Sequence, residues 1–426
     1  MKSDINIKLD EKNISSLAIQ LIQNKDYTKA EIILLNAIKK INNNHFLLNN
    51  LGYLYFETGQ LDKCIHYYEL SLKIEKNNRE AYCNLGTAYL FKNEYNLSKE
   101  IFENGLKILP NNESILVAYS QLLFAMRDLK KAFQAFENRK KTKNYKLILD
   151  KLNAREWKGE DLNNKSILIL SEQGIGDIIQ FSRYLFELEK KFSVKIIFKV
   201  REKLHYLFNK FNFEIIGPKD HIPKTDFYQC LLSLPNIFYE LEDRFISNYN
   251  FIKNNKKLDE KWKKKIDKFK DFKIGLCWQG NPNYGRDFMR SISLKNFEKL
   301  FLIPNLNVIN FTKGFGSEQI KNFKYSNKII DFSNELDNGK NSFEDTISIL
   351  PEIDLLISTD TSIVHVASTM NIKTWLLLDY SADWRWHIQS EKFNWYDSLK
   401  IFRQKNINSW ADVIDQIISK IKNYSS

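Results

Sequence analysis

The stretches LGYLYFETGQLDKCIHYY, residues 51–68, and LGTAYLFKNEYNLSKEIF, residues 85–102, repeat one pattern of large and small residues 34 positions apart. Comparing the sequence with itself extends the pattern to four units. Five positions recur in register: Leu17, Leu51, Leu85 and Tyr119; Ala18, Gly52, Gly86 and Ser120; Leu21, Tyr55, Tyr89 and Leu123; Ala30, Cys64, Ser98 and Ala132; Leu34, Tyr68, Phe102 and Phe136. Small residues let two helices approach closely, and large apolar residues fill the space between them. The pattern predicts four pairs of packed helices.

This spacing resembles that of tetratricopeptide repeats (TPRs), in which each unit is a helix–turn–helix of 34 residues. Pro110 stands where such a unit ends. One helix pair cannot bury its apolar face alone, so neighbouring pairs stack into a solenoid. The resemblance implies a protein-binding array of about four repeats over residues 11–146, in which the first and last are the least typical. It does not identify the partner.

The net charge of the chain, 426 residues long, is +12. A positive surface suits an anionic ligand such as a nucleotide diphosphate, and it also suits nucleic acid or an acidic membrane face. Lys, Asn and Ile are abundant throughout the sequence, however, so a general bias in composition explains the charge more simply. We expect no nucleic-acid partner.

Cysteine usage and hydropathy suggest where the protein works. The cysteines are scattered, at Cys64, Cys83, Cys230 and Cys277, which argues against a disulfide framework or a zinc site. No window approaches the roughly 18 apolar residues that span a bilayer, and the first residues lack the apolar stretch of a signal peptide. We therefore expect a cytoplasmic protein with no bound metal, attached at most peripherally to the cytoplasmic face of a membrane.

Beyond Trp157 the sequence changes to short apolar runs that alternate with helical stretches. Strands are predicted at 166–170, 194–200, 213–216 and 227–232 and, after a charged connecting helix at 258–269, at 273–278, 307–311, 328–331, 354–358, 374–378 and 400–402. Such alternation is typical of parallel sheets covered by helices. We expect two doubly wound, Rossmann-like domains, residues 155–257 and 271–422, that face each other across a cleft. Ligands of such folds bind outside the carboxyl ends of the strands.

The loop after the first of these strands reads SEQGIGDIIQF, residues 171–181. Gly174 and Gly176 permit a tight turn and a close approach of the backbone to a ligand. A helix predicted at 177–191 begins at Asp177, where a simple N-cap is the plainest role for an aspartate. A helix N-terminus also lowers the pKa of a carboxylate, so Asp177 is a weak base unless an apolar cleft raises that pKa again.

STDTSIVH, residues 358–365, follows an apolar strand of the second domain. Hydroxyl groups and free backbone N–H groups at a helix start form a ready anion site. His365 lies one turn beyond Thr361 on the same helix face, where it could also reach a phosphate oxygen. A buried core histidine is the alternative interpretation.

A third loop carries Gly280, Asn281 and Pro282 directly after a strand, followed by Arg286 and Arg290. A guanidinium in this place could neutralise a diphosphate leaving group. For either arginine alone, a surface charge is an equally simple explanation.

Together with NFTKG, residues 310–314, and SADWRW, residues 381–386, these loops resemble an ordered set of motifs. The set is similar to that of bacterial TPR-fused proteins of the heptosyltransferase-like glycosyltransferase family (glycosyltransferase family 9-like), and it covers about residues 155–422. That family has the GT-B fold, in which two Rossmann-like domains face a cleft. The resemblance therefore implies a TPR solenoid followed by a GT-B pair.

The resemblance also implies roles for individual residues. Asp177 would be the general base, and Asp360, Thr361 and His365 would hold the donor diphosphate with help from Arg290. The donor site would also include Gly280, Asn281, Lys313, Gly314 and Ser362, and the acceptor side would include Gly174, Gly176, Gln180, Asp383, Trp384 and Arg385. Heptosyltransferases usually carry Gly where this chain has Ser362, and often Lys where it has Arg290, which puts a heptose donor in doubt.

The implied reaction moves a sugar from a nucleotide-diphosphate sugar to an acceptor hydroxyl, with inversion and without a metal or other cofactor. The sequence agrees in lacking D-x-D, the metal–nucleotide motif of the other glycosyltransferase fold. The acceptor is a glycan of the lipopolysaccharide type or a protein. Two alternatives stay open. One is a protein glycosyltransferase like the O-linked N-acetylglucosamine enzymes, and the other is a non-catalytic TPR scaffold with a degenerate transferase domain.

Overall fold

The structure is a computed structural model that describes residues 11–208, 211–242, 250–252, 255–381, 383–386, 395–407 and 409–425. Contacts within the chain divide it into two units, which meet in the sequence between Leu149 and Asp150. The first unit is helical, and the second contains two parallel sheets. Within the described ranges, no helix is long and apolar enough to cross a bilayer.

The first unit begins with four consecutive helix pairs and ends with a short helix. Its helices are α1 (Glu11–Gln23), α2 (Tyr27–Lys40), α3 (His45–Glu57), α4 (Leu61–Ile74), α5 (Arg79–Phe91), α6 (Tyr95–Ile108), α7 (Glu113–Ala125), α8 (Leu129–Phe136) and α9 (Lys143–Leu149). The predicted pairing of helices is confirmed.

The backbone repeats with the same period as the sequence. Three helices start at an asparagine whose side chain accepts a hydrogen bond from a backbone N–H of the first turn: Asn44, Asn78 and Asn112. The turn inside each pair passes through one residue with a positive φ: Lys25, Gly59, Asn93 and Arg127. Asparagine is among the best N-caps, and asparagine and glycine tolerate a positive φ best. Local chemistry therefore favours the three asparagine caps and the turns at Gly59 and Asn93, whereas Lys25 and Arg127 adopt the same turn without that preference.

Small and large residues of the repeat pack against each other inside each pair. A Cβ added at Gly52 would lie 2.5 Å from the ring of Tyr68, and one added at Gly86 would lie 2.5 Å from the ring of Phe102. Both rings are almost fully buried. The sequence prediction that these positions form the contact between the two helices is confirmed.

Gly86→Ala is expected to destabilise the repeats, although alanine normally stabilises a helix by up to about 1 kcal/mol relative to glycine. The added Cβ would meet Phe102 Cζ at 2.5 Å, so the ring or the helix must move. Overpacking of this kind costs about 1–3 kcal/mol. Thermal unfolding of the full chain, followed by circular dichroism, measures the effect. Combining Gly86→Ala with Phe102→Leu should recover part of the loss, and a more stable Gly86→Ala protein would contradict this packing.

The first sheet of the second unit has the strand order β1-β5-β2-β3-β4, with every described pairing parallel. Its elements are β1 (Arg155–Glu156), β2 (Lys165–Leu170), α10 (Ile175–Phe181), α11 (Arg183–Lys191), β3 (Val194–Lys199), α12 (His205–Phe208), β4 (Glu214–Ile216), β5 (Phe227–Cys230) and α13 (Leu234–Glu242). The connecting helix α14 (Lys256–Ile266) follows. We call the region from β1 to α13 the first half of this unit.

The second sheet has the strand order β8-β7-β6-β9-β10-β11, which is the order of the dinucleotide-binding Rossmann fold. Its elements are β6 (Phe272–Cys277), α15 (Asp287–Arg290), β7 (Leu306–Asn310), β8 (Ile329–Ile330), α16 (Glu344–Ile349), β9 (Leu355–Thr359), α17 (Ser362–Thr369), β10 (Thr374–Leu378), β11 (Leu399–Arg403) and α18 (Ala411–Ser425). We call this region the second half. The expected fold class, a helical repeat array followed by two Rossmann-like sheets, is confirmed.

Two details differ from the sequence prediction. The single helix expected at 177–191 is two helices, α10 and α11, because the Ser182 hydroxyl bonds to the Ile179 carbonyl at 2.9 Å and competes with the helix ladder there. The edge strand β1 is not predicted, since two residues are too short to show a pattern. It pairs with β5 through Arg155 and Phe227.

Candidate functional site

The sequence suggested that Asp177 is the N-cap of a helix. In the structure it is the third residue of α10. Gly174 is the N-cap, and its backbone N–H donates to Asp177 Oδ2 at 2.8 Å. The glycine has no side chain to cap with, so the carboxylate three residues on bonds back to it. This bond fixes the carboxylate at the start of the helix.

Arg385 joins Asp177 to Asp383 across the two halves of the second unit. Its Nη2 bonds to Asp177 Oδ1, and its Nη1 bonds to Asp383 Oδ1 at 2.7 Å. The guanidinium also lies 5.7 Å from the ring centroid of Phe181 and 4.8 Å from that of Trp384. All three charged side chains are mostly buried, with 13–18% of their surface exposed. The predicted general base, Asp177, thus forms one cluster with three of the residues expected on the acceptor side, Asp383, Trp384 and Arg385.

Burial and neighbouring charges set the ionisation of this cluster. Burial raises the pKa of Asp177, and the charge of Arg385 opposes that rise only in part. The helix start therefore does not make Asp177 a weak base. Burial also raises the pKa of Asp383, but Arg385 and Arg286 outweigh it, so the pKa of Asp383 lies below its usual value. Burial and nearby Asp383 raise the pKa of Asp360 to about 6.

His365 is buried in α17 and packs against the first half. Its Nδ1 lies 3.0 Å from the Tyr396 hydroxyl, and its ring stacks on Trp386 with centroids 5.1 Å apart. A Cβ added at Gly176 of α10 would lie 2.8 Å from His365 Cδ2. Burial, with help from the charges of Arg385 and another arginine, lowers the pKa of His365 to about 3, so the imidazole is neutral near pH 7.

Arg290 is engaged inside the second half. Its Nε pairs with Asp287 Oδ1 at 3.1 Å, its Nη1 donates to the Asp360 carbonyl at 2.7 Å, and its guanidinium lies 4.5 Å from the Tyr284 ring centroid. A Cβ at Gly280 would lie 2.6 Å from Arg290 Nε. The arginine thus ties the loop after β6 to the loop after β9.

A cavity of about 510 Å³ opens at the carboxyl ends of the strands of the second sheet. Its volume lies within the usual range for small-molecule sites. It is lined by Lys203, Cys277, Gln279, Gly280, Asn281, Pro282, Phe311, Lys313, Phe315, Leu336, Asp337, Ser342, Phe343, Thr346, Thr361, Ser362 and Ile363. Of the predicted donor residues, the ones that line it are Gly280, Asn281, Lys313, Thr361 and Ser362.

The other predicted donor residues lie outside this lining. Arg290, Asp360 and His365 belong to the contacts described above, so their role in holding a diphosphate stays a prediction. Gly314 stands in the sequence between two lining residues, Lys313 and Phe315, and its φ is +73°. On the acceptor side, Gln180 is fully buried, and neither of its amide atoms has a hydrogen-bond partner among the described residues.

The cavity wall combines aromatic rings with anion-binding groups. Phe311, Phe315 and Phe343 supply apolar faces on which a nucleobase could stack. Thr361 and Ser362 lie where α17 begins, and the first N–H groups of a helix have no partner within it. The wall can therefore hold a flat ring and an anionic group together.

Sequence reasoning missed several cavity residues. Lys203 comes from the first half, and Phe315, Asp337 and Phe343 come from loops without a recognised motif. The positive φ of Phe343, +66°, gives no sequence signal because such a conformation is uncommon for phenylalanine. In the part of the chain that the structure describes, no group of three or more His, Cys, Asp or Glu side chains is placed to hold a metal ion.

Comparisons with known proteins assign the first unit. Tetratricopeptide-repeat family models match residues 45–78 and 80–112. These residues form TPRs. Protein FlbA of Caulobacter vibrioides is 19% identical to this chain over 406 residues, which covers 89% of the chain and 67% of FlbA.

Among solved structures, glycosyl transferase family 9 from Veillonella parvula is 12% identical, with 63% of this chain and 99% of that chain covered at a TM-score of 0.45. The E. coli ADP-heptose lps heptosyltransferase II is 10% identical. The match covers 61% of this chain and 98% of that chain, at a TM-score of 0.42. MamA is 19% identical. The match covers 32% of this chain and 77% of that chain, at a TM-score of 0.27.

Proposed function

We propose that this protein is a glycosyltransferase that moves a sugar from a nucleotide-diphosphate sugar to an acceptor hydroxyl. The observation that carries the proposal is the cavity at the strand ends of the second sheet, where phenylalanine rings, a helix start and two lysines meet. Aromatic faces suit a nucleobase, and helix N–H groups and ammonium groups suit a diphosphate. Protein cations would then supply the charge that a metal provides in other transferases, so the proposed reaction needs none.

The acceptor would enter from the first half, where Asp177 is its general base. A carboxylate has about four acceptor positions, so Asp177 can still receive a proton beside its bonds to Gly174 and Arg385. The raised pKa of Asp177 brings its basicity closer to neutral pH, as general-base catalysis requires. Attack from the face opposite the diphosphate would invert the sugar.

The TPRs would bind a protein partner or a protein acceptor in the cytoplasm. Repeats of this kind present extended surfaces to other proteins, and the strand-end loops with phosphate-binding groups lie in the second unit. A peripheral position at the cytoplasmic face of the membrane is compatible with this role.

A nucleotide screen tests the proposal. Binding of ADP, GDP, UDP and CDP is measured by calorimetry, and diphosphate release is measured with the corresponding nucleotide sugars, for the full chain and for residues 150–426. We expect one nucleoside diphosphate to bind both proteins, because the cavity lies within the second unit. Transfer to the natural acceptor should fall without the TPRs.

Phe315→Ala is expected to weaken the binding of that nucleotide about tenfold, the effect of losing a stacked ring. Phe315 is 56% exposed, and Phe46, on the TPRs, is 52% exposed, so Phe46→Ala is a matched control that should bind normally. If none of the four nucleotides binds, or if both variants weaken binding equally, the cavity is not the donor site.

A further inference from the structure

The cations that line the cavity differ from the one that the sequence favours. Arg290 is held by Asp287 and by the Asp360 carbonyl, and it does not belong to the lining. Among the described lining residues, the cations are Lys203 and Lys313. These two ammonium groups are therefore the lining cations that can meet an anion beside the N–H groups at the start of α17.

Lys313 is already committed to the protein. Its Nζ donates to the carbonyl oxygens of Leu336 and Asp337, at 2.6 Å for the first of them. Asp337 also lines the cavity, but its carboxylate accepts bonds from Asp345 N and from Thr346. Both side chains thus tie separate segments of the cavity wall to each other, and Lys313 keeps only one of its three ammonium donors for a ligand.

Lys203 is available. It is exposed, and its ammonium has no hydrogen bond or ion pair with any residue that the structure describes. Its backbone is fixed, because the Lys203 carbonyl accepts the Ser342 N–H at 2.8 Å and the next residue, Leu204, is fully buried. A fixed main chain with an unpaired, mobile ammonium is what an ion-binding lysine requires.

We propose that Lys203 is the catalytic cation that binds the donor diphosphate and neutralises it as it leaves. This inference rests on the proposed glycosyl transfer. In that step the bond between the sugar C1 and the diphosphate oxygen breaks, and its electron pair stays on the oxygen. The acceptor oxygen bonds to C1, and its proton passes to Asp177. The ammonium of Lys203 stabilises the negative charge that grows on the leaving oxygen.

This assignment gives the first half a share of the donor site. Lys203 follows β3 of the first sheet, whereas the rest of the lining belongs to the second half. A donor bound by both halves is positioned with respect to Asp177, which also lies in the first half. The diphosphate would thus help to align the two halves for the reaction.

The test compares Lys203→Met with Lys203→Arg and with Lys219→Met, a matched control for an exposed lysine of the first half outside the lining. Calorimetry measures binding of ADP, GDP, UDP and CDP and of the four nucleosides without phosphate. For the nucleotide that the wild type binds, we expect Lys203→Met to lower diphosphate affinity by about 10–100-fold, the usual effect of losing a charged hydrogen bond. Nucleoside affinity should not change, because the base site is intact.

Lys203→Arg should recover most of the affinity, and Lys219→Met should behave as wild type. Turnover of Lys203→Met should fall by at least the same factor as its diphosphate affinity. Wild-type diphosphate affinity in Lys203→Met would overturn the assignment of Lys203 and leave the proposed function standing. An equal loss of nucleoside and diphosphate affinity would also overturn it, since the residue would then be structural. Failure of the wild type to bind any of the four nucleotides would overturn the proposed function and this inference together.

Discussion

Asp177→Asn is expected to reduce turnover at least about a hundredfold, the usual contribution of a general base. Asparagine keeps the shape of the side chain and can still accept the Gly174 N–H, but it cannot take a proton from the acceptor. Affinity for the nucleotide should stay near that of the wild type, because Asp177 does not line the cavity. Steady-state kinetics with the donor found in the nucleotide screen, together with calorimetry, measure both quantities.

Glu172→Gln is the matched control for this substitution. Glu172 is the neighbouring carboxylate of the same loop, and its Oε1 accepts the Leu232 N–H at 3.0 Å. Glutamine can accept the same bond, so turnover should stay within a few-fold of the wild type. If Asp177→Asn keeps most of its turnover while Glu172→Gln loses it, the base is Glu172 and the role of Asp177 is to bond back to Gly174.

Arg385→Gln is expected to destabilise the second unit by about 3 kcal/mol at neutral pH, as removal of one partner from a buried ion pair does. The change leaves Asp177 and Asp383 facing each other without the cation between them. Denaturant unfolding followed by tryptophan fluorescence measures the loss. Adding Asp383→Asn removes one of the two unbalanced charges, so the double variant should be more stable than Arg385→Gln alone.

The stability of the Arg385→Gln protein should depend on pH, and the pKa of Asp177 determines the sign of that dependence. Burial already raises the pKa of Asp177 with Arg385 present, and Glu172 and Asp383 raise it further. Without Arg385 the folded protein binds a proton more tightly than the unfolded chain, so stability falls as pH rises from about 4 towards neutrality. The difference in unfolding free energy between the wild type and Arg385→Gln should therefore be larger at about pH 7.5 than at about pH 5. If that difference in unfolding free energy does not change with pH, the destabilisation comes from packing alone.

The fold follows from local patterns that recur along the chain. Gly52 and Gly86 occupy the same place in successive repeats, so each confirms the register of the other. The strands of the second unit are apolar runs with helices between them, and this pattern is enough to locate most of them in the sequence. The edge strand at Arg155 and Glu156 has no such pattern, because its pairing with β5 depends on residues far along the chain.

The candidate site was predictable only where strand-end loops carry a motif. Thr361 and Ser362 follow a strand and line the cavity, as a helix start there predicts. Contacts between the halves leave no such pattern: Asp177 and Arg385 are 208 positions apart. Which cation faces the cavity is likewise decided by distant neighbours: these hold Arg290, whereas the ammonium of Lys203 has no partner among the described residues.

The contact between Gly176 and His365 offers a way to test whether the two halves can separate. A Cβ at position 176 would lie 2.8 Å from the imidazole, so main chain and ring meet there with no side chain between them. A bulkier residue at this position would act as a spacer and favour a separated arrangement. Such a variant would give crystallography and single-molecule measurements a reference for a separated arrangement, without any change to the residues that line the cavity.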